Sequence, residues 1–458
     1  MRYSEASISP APPDAFGGAG YLPCNIRASF HNLNYSRTGK GFSAMRKVKI
    51  IGGAVTKFGR HIARNLKSLV AEAVNGALAS AGVDKKMLQG AWVGNAFQGI
   101  LSGQECIRGQ IVLRSIGIGG IPVINVENAC ASSATALNGA WAMVALGEID
   151  AALVVGMEKM CMKDRALIVK AFEGCMDVEM LPLIVADFKK QEEQIRKELE
   201  SLGRTEKQKS GERSIFMDAY AMLARRHMAK YGTTQRQLAV ISSKNHCHSC
   251  LNPLAQYQQA MTIDEILQAP EVTWPLTRPM CSPIGDGAAA AIVCSESFAR
   301  EVAASKHKVE VAACLIGSGE DQEGEKSTLR KLAYRAYEKA GIGPAEVNVA
   351  EVHDATAFGE LYAAEDLGFC QEGEGGAFAE AGHSTLGGKL PINVSGGLES
   401  QGHPVGATGI RQVVELFWHL TGQAGKRQVP GAKVGLAQNT GGSVGDSEGA
   451  LSVTILKA

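Results

Sequence analysis

Cys130 lies in the stretch VENACASSATALNGAWAMVALGEID, where the apolar run PVINV gives way to small residues and a helical pattern opens at about Ser132. A strand-to-helix turn is a place where a thiol can react. Backbone N–H groups at a helix start lack intrahelical partners and carry positive potential. They lower a thiol's pKa and offer donors to a developing oxyanion. Ala131, Ser132 and Ser133 are small enough to let a substrate come close. A lone cysteine would still be read as a small buried hydrophobe. A nucleophile needs a base, usually a histidine brought from elsewhere in the chain. His403 in SGGLESQGHPVGATG and His353 in EVHDATAFGE both stand at a strand end or helix start.

The elements that must position these residues repeat along the chain. AVNGALASAGVDKKMLQGAWVGN from Ala73 rhymes with AYRAYEKAGIGPAEVNVAEVHD from Ala333: an Ala-rich helix, Ala-Gly and a β-branched residue, a polar turn, a short strand. This register sets Gly94-Asn95 against His353-Asp354. INVENACASSATALNG from Ile124 likewise rhymes with INVSGGLESQGHPVGATG from Ile392, each followed by a helix and an apolar strand, 151–155 or 434–437. His403 is read as opening the second of these helices. Strands alternating with helices predict parallel sheets covered on both faces, in a duplicated α/β unit. Turns of the two halves then share one sheet edge, with both histidines facing Cys130 across a pseudo-dyad.

Composition narrows the function. Lys and Arg number 47 against 46 Asp and Glu, a net charge of +1, so no global field recruits nucleic acid or a membrane surface. No run is read as reaching the ~18 apolar residues of a spanning helix. Eleven scattered cysteines suggest free thiols in a reducing, cytoplasmic setting. The 53 glycines suggest tight turns and close backbone approaches. Residues 1–44 are aperiodic, rich in Ser, Pro, Gly and Asn, and are expected to be a disordered or mis-assigned extension to a folded part starting at Met45.

With these residues assembled, the chain resembles the thiolase superfamily, of the lipid-transfer-protein (sterol-carrier-protein-x) type. The resemblance runs from Met45 to the end and rests on NACASS, MCSPIGDGAAA (280–290), HDAT at His353, GGLESQGHPVGATG at Gly396 and QNTGGSVG at Gln438. It implies an α/β thiolase fold, a five-layer αβαβα arrangement of two similar halves, 45–305 and 306–458, with a loop domain of about 162–265 inserted in the first. It implies acyl-CoA C-acyl transfer, thiolytic cleavage of a 3-oxoacyl-CoA or the reverse Claisen condensation. Cys130 would take the acyl group and His403 would activate it. His353, where many thiolases carry an asparagine, would hold a water and polarise the thioester oxygen, and the N–H groups of Cys130 and Gly441 would form a second oxyanion site. Coenzyme A is the co-substrate, with no permanently bound cofactor. A homodimer is implied, as is a separate partner subunit joining a zinc ribbon to an OB-fold, as many members of this branch have.

The chain departs from that pattern in one respect. Thiolases carry a second, acid/base cysteine in the last Gly-rich loop, where this chain has Asn439; the lipid-transfer-protein type carries it just after His-Asp, where this chain has Ala355. An amide exchanges no proton at neutral pH. His353, His403 or a bound water is expected to take the role, since histidine titrates near neutrality; Cys281 is a further candidate, in a motif expected to be structural. The departure suits a specialised substrate, such as the aromatic, dicarboxylic benzoylsuccinyl-CoA. Competing readings are a retro-aldol lyase acting on a hydroxyacyl-CoA, which typically lacks the nucleophile, and a CoA-binding subunit of a larger complex.

Three other stretches are weighed. NHCHSC (245–250) offers two Cys and two His, but so tightly spaced that no metal site is expected; it reads as a loop, with His246 lining the substrate pocket. The charged run at 189–213 reads as a solvated helix, the competing reading being a lid that meets a ligand's phosphates. In HDATAFGELYAAEDLGF, Ala357, Leu361, Ala364 and Leu367 mark a core-facing helix face, leaving His353 and Asp354 as site candidates, with Asp354 also able to cap that helix.

Overall fold

The computed structural model describes residues 45–201, 214–302, 307–320, 327–445 and 447–458. The expectation for 1–44 and the second half of the charged run lie outside them. Among the described residues eleven strands are formed: β1 Val48–Val55, β2 Gly90–Gly94, β3 Val123–Val126, β4 Ala151–Glu158, β5 Glu271–Thr273, β6 Leu276–Thr277, β7 Gly287–Ser295, β8 Val309–Gly317, β9 Val349–Glu351, β10 Val434–Val444 and β11 Ser447–Lys457. Nine of them hydrogen-bond in the order β3-β2-β4-β7-β1-β8-β11-β10-β9, with β5 and β6 a separate ribbon.

The internal repeat is structural. β1, helix Leu66–Ala81 and β2 correspond to β8, helix Thr328–Ala340 and β9. Both helices end on a left-handed glycine, Gly82 at φ 66° and Gly341 at φ 64°, whose N–H turns back onto the last helical carbonyls. Helices Ser132–Leu146 and Thr408–Leu420 correspond in the same way, and so do β4 and β10. The half-sheets meet at β1 and β8, where Ile50 pairs with Val309 and Lys49 Nζ binds Glu310 at 2.9 Å.

The sheets are mixed, not parallel as expected. β2 runs parallel to β3 and β4, and β9 to β10, but β4–β7, β7–β1, β8–β11 and β10–β11 are antiparallel. The expected 151–155 and 434–437 strands extend to Glu158 and Val444, because β7 and β11 pair along their length.

Alternation along the strands sorts the layers. Ala288, Ala290 and Ile292 of β7 pack with the outer helix Leu66–Ala81, while Ala289, Ala291 and Val293 face the central helices. Leu451, Val453 and Ile455 of β11 pack with the outer helix Thr328–Ala340. Helix, sheet, paired central helices, sheet, helix: these are the five layers of the αβαβα fold. The central pair approach closely because Gly409 has no side chain, a Cβ there falling 2.6 Å from Ala134 N. Apolar on all sides, the segment Ala129–Leu146 does have the length and composition of a membrane-crossing helix, contrary to the sequence reading, but it forms a mostly buried core. Between Glu158 and Gly287 the chain leaves the sheet and runs through helices, Ile215–Tyr231 and Gln235–Ser249 among them, and the β5–β6 ribbon.

Candidate active site

β3 and the Ser132–Leu146 helix are joined by a single 3-10 turn, Ala129–Ala131, that carries Cys130. Ala129 sits at φ 46°, a left-handed conformation rare outside glycine, which aims the following residue out of the turn. The Ser132 hydroxyl ties the turn, accepting Asn128 N–H at 3.0 Å and donating to Ala129 O at 2.6 Å. Across from it, Gly441 of β10 comes so close that a Cβ would fall 2.2 Å from Asn128 O and 2.7 Å from Ala131 N.

His403 comes from the second half. It does not open its helix as expected: it precedes a 3-10 turn, Val405–Ala407, and the helix begins at Thr408. Its Nε2 lies 3.3 Å from Cys130 Sγ, and its Nδ1 lies 2.7 Å from Thr408 Oγ1. The Thr408 hydroxyl donates to Pro404 O at 3.2 Å, so it accepts from Nδ1–H. That leaves Nε2 with its lone pair toward the thiol. His353 follows β9, its main-chain N–H held by Gln438 Oε1 at 2.9 Å. Its ring stands edge-on to His403 with centroids 5.3 Å apart. The Cys130 thiol and one nitrogen of each ring lie within 4.8 Å of one another.

Burial dominates the electrostatics. It pushes the Cys130 thiol up to about 12, and the Glu158 carboxyl adds to this. The lowering expected from the helix start is therefore reversed: the thiol's own backbone donor is outweighed by desolvation. His353 is pushed down to about 3 by burial and then by the Arg411 charge. His403 is held well below its ordinary value by burial, His353 and Arg411. At rest the pair is a neutral thiol and a neutral imidazole.

Of three other sequence candidates, two lie off the cavity that Cys130 borders and one lies on its wall. Asn439 is buried on β10, donates to Gln412 Oε1 at 3.0 Å and is not among the cavity-lining residues, whereas its strand neighbours Gln438 and Thr440 are. Asp354 does not cap the next helix, whose N-cap is Thr356. It is buried, accepts Leu398 N–H at 2.8 Å and Asn245 Nδ2 at 3.1 Å, and is held well above the ordinary carboxyl range by burial and by Glu399 and Glu360. NHCHSC is no loop: it forms the last turn of helix Gln235–Ser249 and the cap after it. The turn splits its side chains, burying His246 and His248 and exposing Cys247 and Cys250, while both ring nitrogens of His248 bond backbone groups. His246 lines the cavity, with Nε2 3.3 Å from Pro279 O.

Cys130, His353 and His403 open into a cavity of about 1350 Å³. Phe172, Phe216, Tyr220 and Phe358 supply aromatic walls, and the exposed Arg60, Arg165 and Arg278 supply cations. No described residue of the charged run borders it. Cys281 lines it beside Ala355, since Ser282 N–H bonds Ala355 O at 2.9 Å. Sequence reasoning missed Thr408, Glu158 and Tyr220. Thr408 falls within a quoted motif. Glu158 closes β4, taking N–H groups of Ala96, Phe97 and Gly406 and the Asn95 amide. No sequence signal marks Tyr220.

Residues 48–266 match the thiolase N-terminal domain model and residues 319–456 the thiolase C-terminal domain-like model. An acetyl-CoA acetyltransferase of Methanothermobacter thermautotrophicus is 36% identical, over 88% of this chain and 98% of that one. Sterol carrier protein 2 of Bos taurus is 37% identical, over 90% of this chain and 72% of its own length. The benzoylsuccinyl-CoA thiolase subunit BbsB of Thauera aromatica is 34% identical, over 87% and 95%. Among solved structures, the Ltp2-ChsH2(DUF35) aldolase superposes with a TM-score of 0.71 at 21% identity, covering 91% of this chain and 99% of that one. Human mitochondrial 3-ketoacyl-CoA thiolase superposes with 0.64 at 15% identity, covering 91% and 100%. A duplicated αβαβα fold, a cysteine on a strand-to-helix turn of one half, two histidines from the other and near full-length likeness to these relatives agree: the chain belongs to the thiolase family.

Proposed function

We propose that this protein is an acyl-CoA C-acyltransferase working through an acyl-Cys130 thioester. The observation that carries this is the 3.3 Å contact of Cys130 Sγ with the lone-pair nitrogen of His403, on the floor of a cavity large enough for a thioester. Nε2 of His403 takes the thiol proton as sulfur attacks the acyl carbonyl. The C–S bond to CoA then breaks, and the proton passes from His403 to the departing CoA sulfur. That sequence is the synthetic one, completed when a carbanion resolves the acyl-enzyme. In the degradative direction Cys130 attacks the 3-oxo carbonyl, the C2–C3 bond breaks, the departing carbanion takes the proton held by His403, and the thiol of CoA resolves the acyl-enzyme. In this reading His353 serves the thioester oxygen, and the N–H groups of Cys130 and Gly441 serve a second oxyanion site.

A bulky acyl group fits the site best. The volume of about 1350 Å³ exceeds the usual ~300–1,000 Å³ of ligand pockets, and its walls are aromatic. The likeness to the benzoylsuccinyl-CoA thiolase subunit favours an aromatic 3-oxoacyl-CoA. That relative is named as a subunit, and Ltp2-ChsH2(DUF35) names two components, which favours a separate partner here. The edge strand β3, with Ile124 38% exposed, is available for pairing two copies of the chain.

Intact mass after mixing with aliphatic and aromatic acyl-CoA donors tests the reading, beside Cys130→Ala. A gain of one acyl group in the native chain only is expected. No gain with any donor, with or without a partner subunit, would overturn acyl transfer in favour of a lyase or a binding subunit.

A further inference from the structure

We infer that Tyr220 is a positioning residue that fixes the tautomer of His353, making His353 a hydrogen-bond donor to the reacting oxygen and leaving His403 as the base. Tyr220 belongs to the helix Ile215–Tyr231 of the inserted segment, whose Phe216, Tyr220 and Leu223 lie on one face and line the cavity. Its ring sits against Gly359, where an added Cβ would fall 3.6 Å from Tyr220 Cε1. Its hydroxyl lies 3.5 Å from His353 Nδ1, its one hydrogen-bond partner among the described residues.

The direction of that contact follows from counting protons. The phenol has one hydrogen to give, and a half-buried hydroxyl that gives it to no protein group must find water or lose roughly 1–3 kcal/mol. Nδ1 is the acceptor on hand. Burial and the Arg411 charge keep the ring neutral, so its single hydrogen then sits on Nε2. Nε2 is buried, has no protein partner, and belongs to a ring bordering the cavity with Cys130. His403 is held the opposite way, its Nδ1–H spent on Thr408 and its Nε2 an acceptor. Two adjacent imidazoles therefore present a donor and an acceptor. In a chain with alanine at 355 and asparagine at 439, this division assigns proton movement to His403 and oxygen stabilisation to His353.

This inference rests on the acyl-transfer reading for its consequences, but its central claim can be read without turnover. In the full chain labelled with 15N-histidine, the ring signals of His353, assigned by their loss in His353→Asn, report which nitrogen carries the hydrogen. A hydrogen on Nε2 in the native chain, averaged between the two nitrogens in Tyr220→Phe, supports the assignment. So does a fall in kcat of roughly 3- to 10-fold in Tyr220→Phe with KM unchanged, the worth of one neutral hydrogen bond. A native hydrogen on Nδ1 would overturn it, and so would a Tyr220→Phe protein with native tautomer and native kcat. Should Tyr220→Phe not fold, the native spectrum alone decides. Acylation of Cys130, followed by mass in the same samples, separates failure of this inference from failure of the acyl-transfer reading.

Discussion

Replacing Thr408 by valine removes one oxygen and almost no volume, and it tests how His403 is aimed. In the native site, Thr408 Oγ1 accepts from His403 Nδ1 at 2.7 Å while donating to Pro404 O at 3.2 Å. Valine leaves Nδ1–H buried without an acceptor, at a cost of roughly 1–3 kcal/mol. The ring escapes that cost by moving its hydrogen to Nε2, which then faces the Cys130 thiol as a donor and accepts nothing. Acylation proceeds only from the disfavoured tautomer, so its rate falls by the Boltzmann factor of the penalty. At about 1.36 kcal/mol per tenfold, the loss is roughly 5- to 150-fold. KM for the acyl-CoA stays near native, since Thr408 is not among the cavity-lining residues. Single-turnover acylation, followed by quenched intact mass, isolates this step. Thr408→Ser, which restores the oxygen, should recover most of the rate. A folded Thr408→Val protein that acylates within about twofold of native would refute the tautomer argument, because among the described residues Thr408 is what fixes which His403 nitrogen carries the hydrogen.

Gly441→Ala drives a Cβ to 2.2 Å from Asn128 O and 2.7 Å from Ala131 N, both in the turn that carries Cys130. Overpacking of this kind costs roughly 1–3 kcal/mol, so acylation should fall about tenfold or more and the melting temperature should drop; native values for both would show that the turn has slack. Glu158 is held up at about 7 by burial, against an ordinary 4.5. The folded chain thus keeps a proton that the unfolded chain releases across that window, and stability falls as pH rises from 4.5 to 7, by up to roughly 3 kcal/mol from this group, levelling off above. Urea unfolding at pH 5 and pH 7 should show a smaller loss in Glu158→Gln than in the native chain; equal losses would remove Glu158 as the cause. Arg411 is fully buried against Glu351 and Ser395. Arg411→Met should cost about 3–5 kcal/mol by stranding Glu351, and Arg411→Met with Glu351→Leu should regain much of it; no regain in denaturant unfolding would mean that the ion pair is not the source.

What the sequence discloses here follows from where each property resides. Cys130, His353 and His403 were legible because they stand at element ends, where small residues and glycines mark the turns, and because the repeat relates the two halves. The mixed sheet was not legible. β1 and β7 are far apart in sequence and share one apolar texture, so their antiparallel pairing leaves no local mark. The position of His403 ahead of its helix was hidden because GHPVGATG folds as a 3-10 turn before Thr408, and glycine-rich text does not distinguish the two. The thiol's raised pKa depends on its burial in the folded chain and on Glu158, neither of which a local stretch of sequence displays. Tyr220 was invisible for a related reason: an apolar stripe at helical spacing looks the same whether it faces a core or a cavity. The described part of the charged run, 189–201, does lie in a helix, Leu181–Ser201, as its composition suggested.

The resting chemistry bears on why the nucleophile and its base come from different halves. A thiol at a helix start, taken alone, would tend toward a standing thiolate, reactive toward any electrophile. Here the second half covers the turn with His403, His353 and β10, and that cover removes the water that would stabilise a thiolate. The same cover keeps both imidazoles neutral, so no standing ion pair compensates. Proton transfer from Cys130 to His403 is therefore uphill until a substrate carbonyl accepts the developing charge and nearby donors hold it. The duplicated fold thus makes the thiol's reactivity conditional: the half that supplies the base also supplies the desolvation that holds the thiol inert until a thioester occupies the cavity.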